Sequence, residues 1–81
     1  MELHELFNTA RASVEREVIF MRDNYGDFYD DAALLRHINH IQNQQSYVAK
    51  AAQAADNGDY QTASALLEFM LSDDGYKPSM I

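Results

Sequence analysis

"DAALLRHINHIQNQQSYVAKAAQAADNGD", residues 31–59, holds two interleaved periodicities and a stop signal, and its reading decides the fold. Leu34, Ile38, Ile41, Gln45, Val48, Ala52 and Ala55 step by four and three, a heptad seam on a long helix. His37, His40, Gln44, Tyr47 and Ala51 step the same way beside it. A helix lying between two neighbours needs a contact stripe this wide, so the pair of seams predicts a middle helix of a bundle. A polar, aromatic interface with a second chain, tunable by pH through the histidines, is the other reading of the second seam. Gln45 either fixes register as a buried amide or marks where the seam nears solvent.

The flanks follow the same punctuation. Asp30 or Asp31 is placed to cap the long helix, Asn57-Gly58 to end it in a left-handed turn, and Asp59 to cap another. Leu3, Phe7, Ala10, Val14, Val18, Met21 and Tyr25 form one stripe upstream. Tyr60, Ala63, Leu67, Met70 and Leu71 form another downstream. The expected fold is all-α: a small antiparallel three-helix bundle with helices at about 3–24, 30–56 and 59–72. Residues 1–72 make a single domain, and 73–81 a short C-terminal tail. Eighty-one residues leave no room for a second core.

Composition excludes several classes. There is no cysteine, hence no disulfide framework, thiolate zinc site or cysteine nucleophile. No apolar run approaches the roughly 18 residues of a membrane span, and "MELHELF" is unlike a signal peptide, so the cytoplasm is the default compartment. Thirteen acids against six bases give a net charge of −7. That balance argues against direct contact with nucleic acid or anionic membranes and favours a protein partner with a basic surface. No nucleophile elbow, phosphate loop or facing carboxylate pair is present, so no enzyme is expected.

Metal chemistry is weakly signalled as well. His37 and His40 form H-x-x-H, but no third ligand stands near them in sequence, and no metal site or cofactor is expected.

The loudest local feature is "DNYGDFYDD", residues 23–31. Its spacing does not fit a calcium loop of the EF-hand kind. In an antiparallel bundle this turn shares a pole with the end of the third helix. The expected partner-binding surface is therefore Asp23, Tyr25, Asp27, Phe28, Tyr29, Asp30 and Asp31, joined by Asp73, Asp74 and Tyr76. Aromatic rings would supply burial at the centre and aspartates steering at the edge.

Ile19, Phe20, Leu35 and Phe69 fall outside the inner stripes, towards the same end. With His37, His40, Gln44 and Tyr47 they make a second candidate set, for contact with a partner or for homodimerisation. The function this predicts is a small acidic, non-enzymatic binding module: an adaptor, inhibitor or regulatory subunit. The alternative is a nucleic-acid mimic of phage or mobile-element origin that blocks a host DNA- or RNA-binding or defence enzyme. A mimic needs acids spread along a long face, and the helix after Asp31 offers none before Asp56.

Overall fold

The computed structural model describes residues 2–28 and 30–72. They form α1 (Leu3–Asp23), a single 3-10 turn (Tyr25–Asp27), α2 (Asp31–Asp56) and α3 (Tyr60–Ser72). The fold is an all-α helical bundle. No helix among the described residues is long and apolar enough to cross a membrane.

Local chemistry sets each boundary of α2. The Asp30 carboxylate accepts the Ala33 backbone N–H at 2.8 Å, so Asp30 rather than Asp31 is the cap. At the other end Gly58 takes φ +80°, a conformation that costs glycine little and other residues more. The Gly58 N–H then reaches the Ala55 carbonyl at 3.0 Å, and the Asp59 N–H reaches the Ala54 carbonyl at 2.9 Å. These two bonds are the Schellman pattern, and they satisfy carbonyls the helix would otherwise leave bare. Asp59 immediately begins α3 by accepting the Thr62 N–H at 3.2 Å.

The interior has two tiers. One is an aliphatic cluster of Leu6, Ala10, Ala51, Ala63, Leu67 and Met70, with Leu3, Phe7, Val14, Tyr47 and Val48 packed around it. Ala10, Ala51 and Ala63, one from each helix, are wholly buried there. The other tier lies under the first turn: Phe20, Phe28 and His37 are in mutual ring contact at centroid distances of 5.3–6.3 Å.

Three details of the expected packing change. On α2 the deepest positions are Ala33, His37, Ile41, Gln44 and Ala51, while Leu34, Ile38, Val48, Ala52 and Ala55 are half-buried. The innermost line thus runs between the two seams, because α2 faces both α1 and α3. Gln45 is exposed and fixes no register from within. On α1 the stripe stops short of its expected end, leaving Val18 and Tyr25 exposed, since the aliphatic cluster reaches along α1 only as far as Val14.

Two stability measurements test this packing. Leu67→Ala, at a position with no solvent exposure, should lower unfolding free energy by about 2–5 kcal/mol in urea titration. Gly58→Ala should cost about 1 kcal/mol through φ alone, since no atom lies within 4 Å of the added Cβ. A third is a pH profile. The Thr62 hydroxyl, then its backbone N–H, hold the Asp59 carboxyl below its ordinary value of 3.8. A depressed folded-state value means stability present above the ordinary range and lost as pH falls through the lower one. The stability gap between the native chain and Asp59→Ala should therefore be constant near neutrality and close on acidification below 3.8.

Candidate partner-binding surface

The first turn is built from side chains that point inward as much as outward. Asn24 closes α1: its backbone N–H and its side-chain Nδ2 both donate to the Phe20 carbonyl, at 3.0 and 2.9 Å. The Asp27 N–H bonds back to the Asn24 carbonyl at 2.9 Å and forms the 3-10 turn. Phe28 then drops beneath it, only 6% exposed, with its ring 5.3 Å from His37 and edge-on to Phe20 at 6.3 Å. Asp30 restarts the helix.

With Asn24, Phe28 and Asp30 engaged in this way, several of their neighbours face water. Asp23, Asp27 and Asp31 are exposed, and the Tyr25 ring is 65% exposed. Asp23 meets Arg22 at 3.4 Å, an exposed contact of adjacent residues that contributes little. The surface therefore presents carboxylates and a phenol on a backbone held from below.

Phe28 corrects the expectation that placed it among the presented rings. The apolar gap between α1 and α2 takes its side chain, and a partner cannot reach it without opening the turn. Asp30 is exposed, yet its carboxylate is engaged as a cap. Tyr29, Asp73, Asp74 and Tyr76 lie outside the described residues.

The second candidate set separates into three groups. Ile19 and Leu35 are exposed, Leu35 to 58%, whereas Phe20 is half-buried by the ring cluster. His37 and Gln44 are buried within the bundle. The His37 imidazole has no solvent exposure, and its Nε2 sits 3.3 Å from the Glu17 carbonyl and 3.5 Å from the Glu17 carboxylate. His40 is half-buried, with its ring centroid 6.4 Å from that of His37. Phe69 is 59% exposed but lies against Tyr47, at 5.4 Å between ring centroids. Tyr47 is ~18 Å along α2 from Leu35 at 1.5 Å per residue, so Phe69 does not belong to the end that carries Ile19 and Leu35. The cause is length: α3 has 13 residues against 26 in α2.

Two arrangements were not anticipated. Glu2, His4 and Glu5 can bring ligand atoms within 4.8 Å of one another, but all three are exposed. A hollow of about 280 Å³ opens between α2 and α3, lined by Gln44, Tyr47, Lys50 and Phe69 among others. Its signal was present in the chain: residues 32–55 contain no acid, and Lys50 is their one lysine.

Comparison of the chain with protein-family models, with curated proteins and with solved structures finds no match.

Phe28→Ala tests whether the turn is held from below. Removing the ring should cost about 3–5 kcal/mol and speed amide exchange across residues 24–31. A loss under about 1 kcal/mol with unchanged exchange would mean that Phe28 does not pin the turn.

Proposed function

We propose that the protein is a small, non-enzymatic binding module that docks the face of its first turn on a basic surface of another protein. The observation that carries this reading is the turn itself, which holds Phe28 in and Asp23, Tyr25, Asp27 and Asp31 out. Pre-organised backbone lowers the ordering cost of association. Tyrosine supplies contact area with few torsions to freeze, and carboxylates speed encounter with a cationic partner. Excess negative charge over the chain adds to that steering.

In this reading the three helices run antiparallel. Support comes from Glu17 of α1 meeting His37 of α2, while Val14 shares a hollow with Gln45 and Val48 further along α2. Ile19 and Leu35 extend the contact beyond the acidic turn, covered by the partner or by a second copy of the chain. Its work is steric and electrostatic, as an adaptor, inhibitor or regulatory subunit in the cytoplasm.

The test is affinity purification from the host, followed by titration of each co-purifying basic protein in recombinant form. Asp23→Asn, Tyr25→Ser and Asp27→Asn combined should weaken binding tenfold or more, about 1.4 kcal/mol, without loss of fold. Glu2→Gln with Glu5→Gln removes equal charge at exposed positions outside the turn and should leave affinity nearly unchanged. Equal losses in both variants would reduce the effect to net charge, and no loss in the first would discard the site. Light scattering of the free protein decides whether a second copy covers Ile19 and Leu35.

A further inference from the structure

Asn57 is followed by Gly58, whereas Asn8, Asn24, Asn39 and Asn43 are each followed by a residue with a side chain. An asparagine before glycine sets a primary amide beside the main-chain nitrogen least hindered for attack on it. Both residues are exposed, and nothing lies within 4 Å of the place where a Cβ on Gly58 would stand.

The folded turn keeps these groups apart. Asn57 has ψ 2°, and a ring joining Gly58 N to Asn57 Cγ closes only after ψ turns to bring that nitrogen round to the Cβ side. The Gly58 N–H is also engaged, 3.0 Å from the Ala55 carbonyl, and the Asp59 N–H lies 2.9 Å from the Ala54 carbonyl. Rotation about ψ of Asn57 breaks this Schellman pair. The chemistry is thus confined to chains whose turn has opened. Being slow, it proceeds at a rate set by the population of that open form.

We infer that Asn57 is a site of spontaneous, fold-gated conversion to isoaspartate, and that the product releases the reversal between α2 and α3. In the open turn Gly58 N gives up its proton to hydroxide and bonds to Asn57 Cγ. Nδ2 leaves as ammonia, taking a proton from water. A second water then opens the succinimide at either carbonyl. Cleavage between Gly58 N and the former side-chain carbon gives aspartate. Cleavage between Gly58 N and the former main-chain carbon leaves the chain running through Cβ and Cγ, as isoaspartate. Either product adds a carboxylate at the C-terminal end of α2, whose last turn holds no base, on the unfavourable side of the helix dipole. Isoaspartate also lengthens the main chain by a methylene just before the two N–H groups that reach Ala55 and Ala54. No residue of the first turn takes part, so the site stands independently of the proposed protein docking.

The full chain and a peptide of residues 52–62 are held side by side in mildly alkaline buffer. Digests are then read by mass spectrometry with fragmentation that separates the two isomers. Both products are expected at Asn57 of the full chain, isoaspartate in excess, forming at least tenfold more slowly than in the peptide. Leu67→Ala, which removes core packing of α3 away from the pair, should move the rate towards the peptide's, whether the variant folds weakly or not at all. Asn57→Gln, whose longer side chain does not close the same ring, should abolish the signal and so separate it from any isoaspartate arising at Asp74-Gly75. The purified isoaspartate form should exchange the Gly58 and Asp59 amides at least tenfold faster than the native chain. Absence of product at Asn57 in both the native chain and Leu67→Ala, while the peptide converts, overturns the site. A native chain as fast as the peptide, or a Leu67→Ala rate equal to the native one, overturns the gate. Native amide exchange in the isoaspartate form overturns the release.

Discussion

Three alanines set the geometry. Ala10, Ala51 and Ala63 are wholly buried in one cluster, one from each helix. With only a methyl group at each contact, helix backbones can approach closely, and larger residues above and below must fit the remaining space. Leu6, Leu67 and Met70 do so in the aliphatic tier. The result is a slender molecule, 44 Å long and 18 Å across. A core this narrow has little room for expansion, since overpacking costs about as much as a cavity.

Among the described residues, the α1–α2 gap beneath the first turn is filled by different means. Phe20, Phe28 and His37 fill it with rings, and the imidazole meets Glu17 across the helix pair. An imidazole brings polar atoms into that space, and its Nε2 is answered by the Glu17 backbone. Two surfaces result from the same economy of packing. One is a turn whose acids face out because its phenylalanine faces in. The other is a hollow where α2 and α3 leave space beside Gln44. The first presents carboxylates, and among the described residues that line the second there is none.

What could be read from the chain divides along physical lines. The three helices and their punctuation were legible because they rest on contacts within a few residues. Asp30 reaches Ala33, Asp59 reaches Thr62, and Asn57-Gly58 turns the chain by backbone conformation alone. The all-α class followed from periodicity. Phe28 was misread because an aromatic ring among aspartates looks presented, and its burial depends on a gap between two helices that no local pattern reveals. His37 and Gln44 admitted two readings, one toward the bundle and one toward a partner, because only the placement of α1 and α3 around α2 shows which line of the helix is innermost. Phe69 was assigned to the wrong end, since the lengths of facing helices, not the wheel position, decide what lies level with what.

The two turns are held by different means. Around Gly58 the reversal rests on backbone bonds, from Gly58 to Ala55 and from Asp59 to Ala54. The first turn has local bonds of its own, from Asn24 to Phe20 and from Asp27 to Asn24, but it also seats the Phe28 ring against Phe20 and His37. A substitution that loosens this ring packing would therefore disturb the proposed docking face without touching any residue on it.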